Sequence, residues 1–494
     1  MPDRVVTAET LARHLGQWRT AGSAGPAYGA LADAIRLLVI DGRLPLGVRI
    51  PSERALASAL HVSRTTVTTA YAELRESGYL RGRQGARSTT ALPGPDRTGS
   101  ATTGLMSPMV DLQNAATAAP AAAVLEAYQA ALTTLPTHLR GIGHELVGIP
   151  ELRPRIAEHF SRRGLPTTED QIMVTCGAQQ AIALLLGAFV EPGDRVLVEQ
   201  PTYHGALDAI SQRGARPVPV PMHTHERDSG WDMTGMETTI RQTAPNLAYL
   251  VLDNHNPTGL TMPLGQRKAL ADIISQTRTR TVVDESLVGV WHQNHTPAPM
   301  AALVSRPELV VTIGSMSKSF WGGMRVGWIR ADRTTIARLA AVRSAMDTGT
   351  PILEQLAAAE LLERAEEVEA AQRETLRARR ALVVSELHRR LPEWELQEAD
   401  GGLCIWARLP APMSTALAAA AARLGVRIAA GPRFGVGGSL ERFVRVPFTQ
   451  HDDQLLRGVE LLAQAWHTVT GLPIRRWWAD VRAPHRTASM PKCA

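Results

Sequence analysis

Lys318 stands in the segment GSMSKSF, directly after the apolar run LVVTIG. The run reads as a buried strand, so the amine is expected at a strand's carboxyl end, where open α/β sheets place their ligands. A primary amine held there can condense with an aldehyde to form a Schiff base, which arginine does not do. The chain has three lysines, Lys268, Lys318 and Lys492, and carries its other formal positive charge as arginine. That background points to the amine as the reason for keeping a lysine, with codon bias as the plainer alternative. Ser315 and Ser317 flank Lys318, and Arg325 follows seven residues on. Two hydroxyls and a guanidinium suit a phosphate group.

Further positions would complete such a pocket. VTCGAQQAI reads as strand, glycine turn and helix start, so Gly177, Ala178 and Gln179 can offer backbone N–H groups to a phosphate. Tyr203 in EQPTY can stack on a ring. Asn256 in DNHNPTG can donate to a phenolate oxygen, and Asp284, ending TVVD, can pair with a protonated pyridine nitrogen. Each has a plainer explanation alone: strand-end turns, a core aromatic for Tyr203, a helix cap for Asp284. Their common place at the carboxyl ends of successive strands favours one pocket.

The elements that must position these residues are legible as a pattern. IMVTCG, RVLVEQP, ARPVPVP, LAYLVLD, RTVVDES and LVVTIGS are apolar on consecutive positions and separated by helical stretches. Strands of that kind belong to a mainly parallel sheet covered on both faces, running here to about residue 340. Beyond it, long Ala/Leu/Arg/Glu helices over about 351–390 and strands at LCIWARL and RFVRVPF predict a smaller α+β lobe.

A different unit precedes this one. Leu31, Ala34, Ile35, Leu38 and Val39 mark a helix over 28–40, broken by Asp41-Gly42. After LPLGVRIPS, Ser52 caps ERALASAL, and after His61-Val62, Ser63 caps RTTVTTAYAELRES. GYLRGRQGARSTTA then predicts two short strands around a Gln84-Gly85 tip. Two helices, a tight turn and a basic hairpin make a winged helix-turn-helix, whose second helix enters the major groove by its N-terminal end. Ser63, Arg64, Thr65 and Thr66 lie there, with Arg49, Ser52, Arg54, Arg81, Arg83, Gly85 and Arg87 as further contacts to double-stranded DNA. Residues 26–92 hold nine arginines against five acids, in keeping with a polyanionic partner.

The stretch RIPSERALASALHVSRTTVTTAYAELRESGYL resembles the GntR family of bacterial regulators, and residues 110–466 resemble fold-type I aminotransferases. The two in this order resemble the MocR subfamily of GntR regulators. The resemblance implies an α/β fold: an N-terminal winged helix-turn-helix plus a fold-type I aminotransferase-like domain with a smaller α+β lobe. It implies pyridoxal 5′-phosphate bound to Lys318 as a Schiff base, with Asp284 on the pyridine nitrogen, Asn256 on O3′ and Tyr203 on the ring. Gly177, Ala178, Gln179, Ser315, Ser317 and Arg325 would surround the phosphate. Arg445, in RFVRVPF, matches the arginine that grips the carboxylate of an amino-acid-like effector. A head-to-tail, domain-swapped homodimer is also implied. Two departures stand out: Ser286 sits where such regulators carry a tyrosine, and Gly143-His144 lies where another tyrosine precedes a glycine-led helix at 148–160. Both weaken cofactor tuning more than binding.

The domain division expected is an extension (1–25), the DNA-binding head (26–90), a Pro/Gly/Ser/Thr-rich linker (91–108), the aminotransferase-like body (109–470) and a basic tail (471–494). With 494 residues, 44% apolar and 20% charged, the chain has an ordinary globular composition, and no apolar run reaches a membrane span. The N-terminus does not read as a signal peptide. Three widely spaced cysteines argue against disulfides or zinc and for the cytoplasm. Three functions compete: a regulator responding to the cofactor or to an amino compound reacting with it, a working aminotransferase with a DNA-binding appendage, and a cofactor-free dimerisation scaffold.

Overall fold

A computed structural model describes residues 5–19, 26–82, 88–92, 109–226, 229–292 and 296–471. In the head, α1 (Ala8–Leu15), α2 (Ala27–Ile40), α3 (Glu53–Leu60) and α4 (Arg64–Glu76) share one apolar core. Leu31, Ile35, Leu56, Val67 and Leu74 meet in it, and the N-terminal segment adds Leu11, Leu15 and Trp18. Ser52 Oγ accepts from the Ala55 N–H at 3.2 Å and Ser63 Oγ from the Thr66 N–H at 3.1 Å. Each such cap stabilises its helix by about 1 kcal/mol. Between α3 and α4, His61 adopts the left-handed conformation that makes the turn tight. β1 (Leu80–Arg81) and β2 (Thr89–Thr90) pair antiparallel as the base of the wing. Arg83, Gly85 and Arg87, with the hairpin tip, lie outside the described residues, as do most of the linker and nearly all of the basic tail.

The body carries β3 (Val110–Leu112), β4 (Ile172–Thr175), β5 (Arg195–Gln200), β6 (Arg216–His223), β7 (Gly230–Trp231), β8 (Leu247–Leu250), β9 (Thr281–Asp284), β10 (Val310–Ser315), β11 (Gly327–Arg330), β12 (Glu395–Leu396), β13 (Cys404–Arg408), β14 (Val426–Ala430) and β15 (Phe443–Pro447). Eight strands form the large sheet in the order β4-β11-β10-β9-β8-β5-β6-β7. The inner run from β10 to β6 is parallel. Alternate residues feed opposite cores: Val283, Ala248 and Val310 face one layer of helices, while Val282, Tyr249 and Val311 face the other. This two-sided burial is why these strands read as unbroken apolar runs.

Three features depart from the sequence expectation. β11 lies antiparallel between β10 and β4, in a glycine-rich segment with no strand pattern. β3 joins the small lobe's sheet, ordered β12-β13-β15-β14-β3, although it comes from the start of the body. The helix expected from Gly148 begins instead at Leu152. Gly148, at φ +106°, is in the preceding turn, where a Cβ would sit 2.4 Å from Val174 Cγ2. Gly327 is equally constrained, since a Cβ there would lie 2.7 Å from both Gly177 Cα and Gly314 O. Backbone cannot step aside as a flexible side chain can. Gly327→Ala is therefore expected to displace the Gly177 turn at a cost of about 1–3 kcal/mol. A cofactor titration checks this: half-saturation should rise about tenfold or more, with the head's DNA affinity unaltered.

Candidate functional site

Five parallel strands, β4, β5, β8, β9 and β10, deliver the predicted residues to one rim of the large sheet. β11 runs the other way, so its leading end brings Arg325 to the same rim. The phosphate end is built first. Gly177, at φ +92°, precedes the helix Ala178–Phe189, whose first N–H groups point out of the sheet. Arg325 lies over this turn: its Nη2 donates to Cys176 O at 2.6 Å, and a Cβ on Gly177 would come within 2.8 Å of it. Ser315 Oγ donates to Ser317 Oγ at 3.0 Å and accepts from the Ser317 N–H at 3.2 Å. Hydroxyls, helix N–H groups and a guanidinium thus form an anion cradle that leaves no room for a side chain at 177.

Lys318 follows in a single π-helical turn, Ser317–Trp321, and its Nζ donates to Ala115 O at 2.7 Å. Burial, and then the charge of Arg445, pull its pKa down to about 8. A nucleophilic amine must be neutral, so this shift raises its reactive fraction near neutral pH. The rate of Schiff-base formation should accordingly climb with pH below about 8 and level off above it. Stopped-flow mixing with pyridoxal phosphate across that range measures the profile, and a rise continuing to the ordinary lysine range would contradict it.

Asp284 is buried, with Oδ2 accepting from Tyr249 Oη at 2.6 Å and Oδ1 from the Ser286 N–H at 2.8 Å. Burial pushes its carboxyl pKa up, against the hydrogen bonds from Ser286 and Tyr249 and the charge of Lys318. A protonated ring nitrogen laid against it would supply the counter-charge that burial calls for. Asn256 Oδ1 accepts from Arg445 Nη1 at 3.0 Å. Arginine only donates, so this contact fixes the amide and leaves Asn256 Nδ2 free to donate to an oxygen. Arg445 is itself buried, with its guanidinium 4.8 Å from the Phe434 ring centroid and its Nε without a partner among the described residues. Tyr203 Oη donates to Gln179 Oε1 at 3.2 Å. Gly205 is required beneath it, because a Cβ there would meet the Tyr203 ring at 2.6 Å.

Three contributors escaped sequence reasoning. Tyr249, inside the apolar run LAYLVLD, holds Asp284; a buried tyrosine needs a hydroxyl partner, which was the available signal. Gln113 and Ala115 reach the pocket through backbone carbonyls, which leave no trace in residue type.

In the head, Thr68 Oγ1 donates to Glu53 Oε2 at 2.7 Å, tying the start of α3 to the first turns of α4. Arg54, Ser63, Arg64 and Thr65 are exposed there, Ser52 and Ser63 also serving as caps, and Thr66 is half-buried with its hydroxyl 2.8 Å from Ser63 Oγ. Arg64 is 72% exposed, and its ion pair with Glu53 is long at 3.9 Å. Arg81 is exposed on β1, while half-buried Arg49 bridges Val5 and Thr89.

Comparison with known proteins matches residues 112–461 to aminotransferase class I and II and residues 27–89 to the bacterial regulatory proteins of the gntR family. The HTH-type transcriptional regulator YisV of Bacillus subtilis is 26% identical, over 79% of this chain and 86% of its own length. The arginine–pyruvate transaminase AruH of Pseudomonas aeruginosa is 31% identical over 62% of this chain and 78% of its own. Among solved structures, the Pyrococcus horikoshii kynurenine aminotransferase superposes with a TM-score of 0.67 at 22% identity, covering 76% of this chain and 94% of that one, and so shares the fold. The aminotransferase class I and II fold implies pyridoxal 5′-phosphate as the cofactor. The chain thus belongs to the aminotransferase class I and II family and carries a GntR-family DNA-binding domain at its head, the combination of the MocR-type regulators.

Proposed function

We propose that the chain is a transcription regulator whose operator affinity responds to pyridoxal phosphate, or to an amino compound that reacts with it. The observation that carries this reading is a half-buried, pKa-lowered Lys318 on the same chain as an exposed recognition-helix start at Arg64. Lys318 forms the Schiff base, and Gly177, Ala178, Gln179, Ser315, Ser317 and Arg325 hold the phosphate. Asp284 holds the pyridine nitrogen, Asn256 donates to O3′, and Tyr203 covers the ring. Bound there, the cofactor supplies a reactive aldehyde and an electron sink. Arg445 selects an effector with a carboxylate, hence an amino-acid-like one. In the head, Arg49, Ser52, Arg54, Ser63, Arg64, Thr65 and Thr66 face DNA, with Arg83, Gly85 and Arg87 in the wing. By its resemblance the regulator acts in the cytoplasm as a homodimer, which suits an operator of two half-sites.

The test is binding of the purified protein to its own upstream intergenic DNA, with and without pyridoxal phosphate, while the absorption spectrum is recorded. Specific binding that changes as the visible absorbance appears supports the reading; absorbance with unchanged DNA affinity refutes it. The alternative, a working aminotransferase, is favoured by the likeness to AruH. With Ser286 rather than tyrosine after Asp284, sustained amino transfer is expected to be slow or absent. Coupled assays with common amino acid and keto-acid pairs decide it, and brisk turnover would move the enzyme reading to first place.

A further inference from the structure

The chain enters the body by passing between the pocket and the head. After β3, Asp111 Oδ1 accepts from the Gln113 N–H at 2.8 Å and the Asn114 N–H at 3.0 Å, fixing a turn. That turn aims two carbonyls inward: Gln113 O accepts from Arg445 Nη2, and Ala115 O accepts from Lys318 Nζ at 2.7 Å. The Gln113 side chain points the other way, its Nε2 3.5 Å from Asp41 Oδ1. The same Asp41 oxygen accepts from Arg433 Nη1 at 2.9 Å. Asp41 ends α2 of the head, and Arg433 adjoins Phe434, whose ring lies against Arg445. Asp41 is therefore joined to Arg445 twice, through Gln113 and through Arg433-Phe434.

We infer that Asp111–Ala115 is a strap that ties the cofactor lysine and the carboxylate-binding arginine to the seat of the DNA-binding head. The inference rests on the roles proposed above for Lys318 and Arg445. Both edges by which a guanidinium grips a carboxylate in two places include Nη2, the nitrogen engaged by Gln113 O. A charged carboxylate outbids a neutral carbonyl for it. When the Lys318 amine condenses with the cofactor's aldehyde carbon, the C–O bond breaks, the oxygen leaves as water with the two amine protons, and the donor to Ala115 O is withdrawn. Loss of either contact loosens the strap and loss of both frees it, weakening the hold of Gln113 on Asp41. A cavity of about 190 Å3 lies beside the Asp41–Arg433 pair, bordered by His14, Arg43 and Asp208, and leaves space at this seam between head and body. The ligand then moves the head only by its preference for the released strap.

Hydrogen exchange read by mass spectrometry on the full chain tests this with two reporters. One is the Gln113 and Asn114 amides; the other is the Asp41 and Gly42 amides, bonded to Leu37 O and Val39 O. Without ligand, Arg445→Ala should speed exchange at both by at least about threefold while β8–β10 stay protected. If the alanine variant loses that protection, Arg445→Lys replaces it. Pyridoxal phosphate added to the wild type should speed exchange at the first reporter. The double variant Gln113→Ala/Arg433→Met should keep the visible absorbance and the strap response, while Asp41–Gly42 exchange and DNA affinity cease to follow the cofactor. Unchanged strap exchange despite a visible spectrum, or a double variant that still couples, overturns the inference. Failure of the cofactor reading looks different: no visible absorbance forms, yet ligand-free Arg445→Ala still loosens both reporters. If neither Arg445 variant loosens them, the strap is refuted whatever the cofactor does.

Discussion

Lys318→Ala should abolish the visible absorbance that pyridoxal phosphate gives with the wild type, with the body still folded. The loss is expected to be complete, because Lys318 is the lysine that the described residues bring to this rim, Lys268 lying in the helix Leu264–Thr277, and the arginines that surround the pocket cannot condense with an aldehyde. Folding should not suffer. Lys318 is half-buried, with desolvation lowering its pKa to about 8 from 10.5, so near neutral pH the native state carries a charge that its surroundings disfavour. The shift corresponds to roughly 3 kcal/mol of destabilisation, which alanine removes. The sign is testable by pH. Between about 8 and 10.5 the unfolded chain holds the lysine proton and the native state does not, so wild-type stability gains with rising pH. Below about 8 both states are protonated and the gain is absent. Lys318→Ala should flatten that rise in thermal unfolding followed by circular dichroism. Retained visible absorbance would remove Lys318 from its role; a retained pH gain would contradict its burial.

The pocket was legible in the sequence to the extent that side-chain type and strand ends determine it. Lys318, Asp284, Asn256 and Tyr203 each follow an apolar run, and a parallel sheet carries the carboxyl ends of its strands to one side. Arg445 lies far along the chain and joins them through Asn256, a contact that strand ends and residue types do not foretell. What stayed hidden was carried by backbone or by shape. Gln113 and Ala115 act through carbonyls that any residue owns. β11 begins with a glycine because backbone packs on backbone there, and glycine in sequence reads as loop. β3 has three residues, too few for a period of two to show. In the head, caps and apolar spacing placed α2, α3 and α4 nearly to the residue, since local hydrogen bonds fix those boundaries. The packing of α1 against them depends on contacts across the chain, which local spacing does not record.

Arg64→Ala is the second large effect, and its expected size separates two kinds of DNA contact. Arg64 is the first residue of α4, where a cation opposes the helix dipole and gains nothing for the fold. Its pairing with Glu53 is long and exposed, so it offers little compensation. Alanine is a better helix former, and Ser63 still caps. Any loss of binding is therefore a loss of DNA contact, not of structure. If Arg64 meets a base edge, operator affinity should fall by about 1–3 kcal/mol while binding to unrelated DNA is nearly unchanged. If it meets a phosphate, both should weaken, and the logarithmic dependence of affinity on salt should become shallower by about one unit. Titrations at several salt concentrations, on operator and unrelated duplexes, distinguish the two outcomes. Affinity and salt slope both unchanged would move the DNA-reading surface away from the start of α4.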